Sequence, residues 1–337
     1  EAMVLKRGAL HGQRAVLPLI LTLGGMAGAA GVWVLASALF ETADEAAFAT
    51  GWQVPLGSDV LLCYLVGRRV FGPGQPALHF LMLLAIGTDL AALAILGLAQ
   101  PLAAMRPLWL LLPAAAAAVA WIGFGRPVAP DAPERDRRAR QALWPYLVAG
   151  LVSWLGVAAS GLPAALGLLP LIPAIARTDH SFGLFAEVEE LLHDPLNRLA
   201  HALTWPLTVI LFLFGMTHGA IDLQAYAPTT LVTLLALWVG RPLGLLTLGL
   251  GLAAALGLRM PPGIGLRDVV LAALILAMGF TVPALALDRT LPGGVMQEAA
   301  RLGLAISLLA GPVVHLLAHR RPQPSAPPVG SSDHTTG

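Results

Sequence analysis

The sequence predicts an all-α membrane protein, and three observations carry that expectation. The chain has 337 residues, of which 57% are hydrophobic and 12% charged, against about 25% charged in a soluble domain. Its apolar runs recur at lengths near the ~20 residues that cross a bilayer as a helix, giving about ten complete spans plus the end of another. Its basic residues segregate by loop.

Taken in order, the remnant of a helix ends near Val4, and basic residues follow it. Uninterrupted apolar composition predicts spans over 15–40 and 78–99, joined by a shorter one over 51–66. In the short span Pro55 removes an amide donor and Gly57 is a poor helix former, so an interrupted helix is expected there. Spans follow over 108–122, 143–158 and 162–175, with the basic loop RPVAPDAPERDRRAR after the first of them. The stretch 177–198 is polar, carries Glu187, Glu189 and Glu190, and is read as surface with room for a short helix. The last four spans are 200–221, 228–258, 269–287 and 299–317. The third of these holds Gly279, Thr281 and Pro283 at its middle and is the second interrupted candidate. Glycine-rich strings such as GLLTLGLGLAAALG are helix-packing material. Residues 1–319 therefore form one transmembrane domain, and the Pro/Ser/Gly-rich 320–337 reads as a disordered tail.

Numbering the loops alternately puts 16 of the 20 Lys and Arg on one side, from Lys6 and Arg7 through Arg138 to Arg321. The other side has Arg106 and Arg289, and its loop ETADEAAFAT has three acids and no base. The basic side is cytoplasmic by the positive-inside rule, and with it the C-terminus.

Two basic residues fall inside apolar runs. Arg301 is near a span's start, where its stem can carry the guanidinium to the interface. Arg241 has about a dozen apolar residues on each side and needs an acid, a carbonyl cluster or water. Two acids, Asp59 and Asp89, are also well inside spans, while Asp222 and Asp288 read as edge residues. An acid at the bilayer centre costs roughly 2.5–3.5 kcal/mol on insertion scales, so its retention points to an ion or proton site. Asp89, preceded by Thr88, is the leading candidate. A carboxylate there holds either a proton or a small hard cation, which prefers oxygen ligands. Thr88 lends a hydroxyl. Asp59, next to Ser58 and just past the first break, offsets the partial positive charge of facing half-helix N-termini. The alternatives are an ordinary proline kink at each break and a packing acid at Asp89.

Other chemistry finds little support. Cys63 is alone, which excludes an intrachain disulfide, and reads as a small buried hydrophobe. The histidines lie in loops, near span ends or, for His218, in a packing position, and none pairs at metal-ligand spacing. No nucleotide-binding or nucleophile motif occurs in a strand–turn–helix context. The expectation is no enzyme, no cofactor and no nucleic-acid partner.

GWQVPLGSDV followed by LHFLMLLAIGTDLAALAILGL resembles the paired motifs of NhaA-type sodium/proton antiporters. WVGRPLGL resembles that family's G-K-P-L-G, ILAMGFTVPALAL its broken helix G-I-G-F-T-M-S, and AARLGLAIS its A-K-L-G segment. The resemblance covers nearly the whole chain in order. It implies an inverted-repeat fold with two interrupted helices crossing at the midplane, with the first helix and most of the second lying upstream. It implies that Asp89 binds the ion, with Thr88 beside it. It assigns Asp59 and Ser58 to charge compensation at the crossing, with Thr281 as the broken-helix threonine and Arg241 as the membrane-embedded cation. Three departures stand out. Thr88 replaces the first of two adjacent aspartates, Arg241 replaces a lysine, and Pro163 in SGLPAAL replaces a histidine. Arginine does not release its proton in proteins.

The function so implied is Na+ or Li+ exchange for H+ in sodium and pH homeostasis. It runs by alternating access in a bacterial inner membrane, with one proton per Na+ and hence electroneutral. The partners are the transported ions and membrane lipid, with a homodimer as one oligomeric option. Two other readings compete: a non-transporting sensor or regulatory protein in which Arg241 locks Asp89, and an organic-anion symporter in which Arg241 reads a carboxylate.

Overall fold

The structure is a computed structural model that describes residues 13–40, 49–99, 105–125, 144–174, 195–218, 222, 224–291 and 293–319. The helix remnant near Val4, the acids of ETADEAAFAT, the basic loop, the Glu187–Glu190 stretch and the tail lie outside the described residues. Within them every regular element is helical. Among the described residues, five helices are long and apolar enough to cross a membrane.

Helix α1, Gln13–Phe40, leads to a 3-10 segment, Ala49–Leu56, and then to α2, Val60–Phe71. Helix α3 is Pro76–Leu98, and α4, Leu111–Ala120, is extended by a 3-10 turn before it and a π turn after it. Helix α5 is Trp144–Ala159, and α6 is Pro195–His218. Helix α7, Pro228–Ala255, contains two π turns, Ala236–Gly240 and Leu245–Gly249, on either side of Arg241. The chain ends with α8, Leu266–Ile275, α9, Thr281–Thr290, α10, Val295–Ser307, and α11, Ala310–His319.

Three of these elements differ from expectation. The span expected over 162–175 is a 3-10 coil, Ala164–Ala174. Pro170 and Pro173 have no N–H, so an i→i−4 ladder cannot run through them. The last span divides into α10 and α11 at 308–309, although Val295–Ala318 remains one apolar stretch. The second interruption occupies 276–280, before Thr281 and Pro283. Pro283 falls in the first turn of α9, where its missing N–H is no loss.

Helix α3 is central. Of its most apolar stretch 67% is buried, against 11% for α4. Phe80, Leu81 and Leu84 of α3 pack with Leu21 of α1, Cys63 of α2, Val269 and Ile275 of α8, and Val314 of α11. A second cluster joins Trp33, Val54, Leu237, Leu287 and Leu304. Separately, Ala120, Leu171 and Ala174 hold α4 to the 3-10 coil.

Helices α1 and α7 meet backbone to backbone through Gly24 and Gly28 on one and Gly240, Gly244 and Gly249 on the other. A Cβ on Gly28 would stand 2.3 Å from the Gly240 carbonyl oxygen. Four-residue glycine spacing permits this approach in membrane helices. Gly28→Ala is therefore expected to destabilise the protein by about 1–3 kcal/mol, the usual range for overpacking. Gly31→Ala, whose Cβ would meet nothing within 4 Å, should be neutral. Thermal unfolding of both variants in detergent checks the difference.

Candidate functional site

The two interruptions touch. A Cβ on Gly57 would lie 2.5 Å from Val282, and one on Gly279 would lie 3.3 Å from the Gly57 carbonyl oxygen. Only glycine lets the two strands of irregular backbone come this close. Each break frees polar backbone groups that must find partners inside the fold.

On the amide side of the first break the partner is Asp59. It is the N-cap of α2, in extended conformation, and its carboxylate accepts from the Leu62 N–H at 3.0 Å. On the carbonyl side the partner is Arg241. Its Nη1 donates to the Leu276 carbonyl at 2.6 Å, and its Nη2 donates to Gly57 at 2.6 Å and to Pro55. One guanidinium thus joins the carbonyl ends of both breaks. Arg241 is 2% exposed and its Nε has no partner among the described residues. The expectation of an acid, a carbonyl cluster or water is answered by carbonyls. No ion pair joins Arg241 to Asp89.

Asp89 faces the first break. Its Oδ1 accepts from the Ser58 backbone N–H at 2.6 Å and from the Ser58 hydroxyl at 2.9 Å. Among the described residues no donor reaches Oδ2, and the residue is partly exposed. Thr88 is buried and its hydroxyl donates to the Leu84 carbonyl at 2.7 Å, one turn back on its own helix. Thr281 opens α9 and is half-buried. Ser58 and Asp89 are therefore brought into direct contact and Asp59 and Arg241 brace the breaks, whereas among the described residues no hydrogen bond joins Thr88 or Thr281 to Asp89.

Sequence reasoning missed two features. Ser58 was grouped with Asp59, but it holds Asp89. Ser307 was not singled out, yet its hydroxyl receives the Gly279 N–H at 3.3 Å, and its carbonyl accepts from the Trp238 indole at 3.2 Å. The only available signal was a serine inside an apolar span. Arg301, expected to reach toward the interface, is paired with Glu298 at 2.7 Å and with Asp288 at 3.2 Å, tying α10 to α9.

The donor set at Asp89 is hard oxygen, suited to a small cation or a proton. Among the described residues no three His, Cys, Asp or Glu side chains form a metal cluster.

An all-helical bundle with several spanning helices and a carboxylate beside two touching breaks defines a polytopic membrane protein with a polar interior site. The family model described as Na+/H+ antiporter 1 matches residues 4–317. The chain is 39% identical to the Na(+)/H(+) antiporter NhaA of Jannaschia sp. (strain CCS1), over 93% of this chain and 76% of that protein. It is 35% identical to Na(+)/H(+) antiporter NhaA 2 of Pelobacter propionicus, over 90% of this chain and 76% of that protein. It is 33% identical to the NhaA antiporter of Geobacter metallireducens, over 88% and 74%. The chain belongs to the Na+/H+ antiporter 1 family, whose members are transporters and not enzymes.

Proposed function

We propose that this protein exchanges Na+, or Li+, for H+ across a bacterial inner membrane and serves sodium and pH homeostasis. Asp89 is the shared site: a cation and a proton compete for its carboxylate. The observation that supports this most is the carboxylate's asymmetry. Oδ1 is held by two donors from Ser58, and Oδ2 has no donor among the described residues. One oxygen positions the group and the other is left for the ion.

The touching breaks are read as the midplane crossing of two inverted repeats, and rocking of the bundle around them alternates access. Asp59 and Arg241 neutralise the amide and carbonyl ends of the breaks and carry no ion. The basic loops and the C-terminus face the cytoplasm on this reading. The sensor reading requires Arg241 to lock Asp89, and the guanidinium is instead committed to carbonyls.

With Thr88 unable to titrate and Arg241 always protonated, one carboxylate exchanges one proton for one Na+. The complete protein in proteoliposomes should show proton flux that requires Na+. With voltage clamped, the rate should change by less than about 1.5-fold over 100 mV. Moving one net charge would be worth about 2.3 kcal/mol over that range. A rate that scales steeply with potential overturns the one-for-one exchange, and no Na+-dependent flux overturns the antiport.

A further inference from the structure

A cleft of about 120 Å3 lies between α7, α8 and α11, apart from the Asp89 site. Ala277 and Val314, 1% and 2% exposed, belong to its buried wall. Trp238, Val313 and Leu317 form its rim at 37%, 50% and 49% exposure. The lining carries no charge. Apolar surface this open, on a membrane-spanning bundle, faces hydrocarbon.

Arg267 stands at one end of the cleft. It is exposed, and its Nη2 donates to the Ala318 carbonyl at 3.3 Å, next to Leu317 in the chain. Arg267 and Leu274 are two turns apart on α8 and share a face. Among the described residues no acid pairs with Arg267. The neighbouring Asp268 instead accepts from the Gly265 N–H at 2.9 Å, capping its own helix. From Arg267 to Ala277 the chain rises about 15 Å at helical pitch. That is half of the roughly 30 Å hydrocarbon thickness, the reach of one acyl chain from its headgroup to the bilayer centre.

A charge toward one end, an apolar cleft whose far wall lies about half the hydrocarbon thickness away from it and a lateral opening fit one class of ligand. We propose that this cleft holds an acyl chain of an anionic phospholipid, with its phosphate on the Arg267 guanidinium. At its deep end the chain touches Ala277, inside the second break, and Trp238, in the π turn that precedes Arg241. Lipid seated there buttresses the break from outside, as Ser307 does from within.

The test uses the complete protein in bilayers of phosphatidylcholine, with phosphatidylglycerol or phosphatidylcholine brominated near the acyl terminus added. The difference in tryptophan quenching between the unmodified protein and Trp238→Phe reports the cleft. Half-quenching should need about five-fold less brominated phosphatidylglycerol than phosphatidylcholine, which is what about 1 kcal/mol per basic residue converts to. Arg267→Gln should remove the preference, and Arg267→Lys should keep it. Competition of the same two lipids followed by native mass spectrometry, on the unmodified protein and on Arg267→Gln, gives a readout that needs no tryptophan variant. Equal binding of both lipids, or a preference that survives Arg267→Gln, overturns the proposal.

Discussion

Asp89→Asn is expected to lower Na+-dependent proton flux by about 100-fold or more while leaving the fold in place. Each 1.4 kcal/mol is a factor of ten in binding, and a cation losing its carboxylate in a partly buried site loses several such increments. Asparagine has the same shape, and its carbonyl oxygen can still accept from the Ser58 N–H and hydroxyl that now hold Oδ1. Thermal unfolding should therefore shift by no more than about 1 kcal/mol equivalent, the net worth of one weakened hydrogen bond. Flux and unfolding measured on the same preparation separate a lost site from a lost structure. Retained flux in a folded Asp89→Asn protein would remove Asp89 from the mechanism.

Arg241→Met should have the opposite profile: a large loss of stability. The substitution keeps much of the apolar stem but strands the carbonyls of Pro55, Gly57 and Leu276. An unsatisfied buried acceptor costs about 1–3 kcal/mol, so the three together cost on the order of 3 kcal/mol or more. Arg241→Lys retains donors and should fall between Met and the natural residue, because a single ammonium cannot reproduce the guanidinium fork. The order in unfolding temperature, Arg above Lys above Met, checks this. A Met variant as stable as the original would show that the carbonyls find other partners.

The three charged residues of this centre were legible in the sequence because charge inside an apolar run is costly and therefore rare. Asp59, Asp89 and Arg241 stand out on that ground alone. The helix breaks were legible from Pro55, Gly57 and Gly279 for a similar reason: they disfavour helix where apolar composition otherwise demands it. Pro283 misled by a few residues, since a proline disrupts a helix interior but suits its first turn. The 3-10 coil of Ala164–Ala174 was hidden because apolar content predicts a span and says nothing about which hydrogen-bond ladder its prolines allow.

Composition and the lengths of the apolar runs were enough to predict an all-helical membrane protein and to single out its isolated charges. These follow from the cost of putting polar groups into hydrocarbon, which each residue carries by itself. Pairings belonged to the tertiary structure. Ser58 meets Asp89 across 31 positions of chain, and Arg241 reaches carbonyls 35 and 184 residues away. Every residue presents the same carbonyl, so nothing in a side-chain pattern marks which ones a guanidinium will find. Only the close approach of the two breaks, allowed by glycine where a Cβ would collide, decides that.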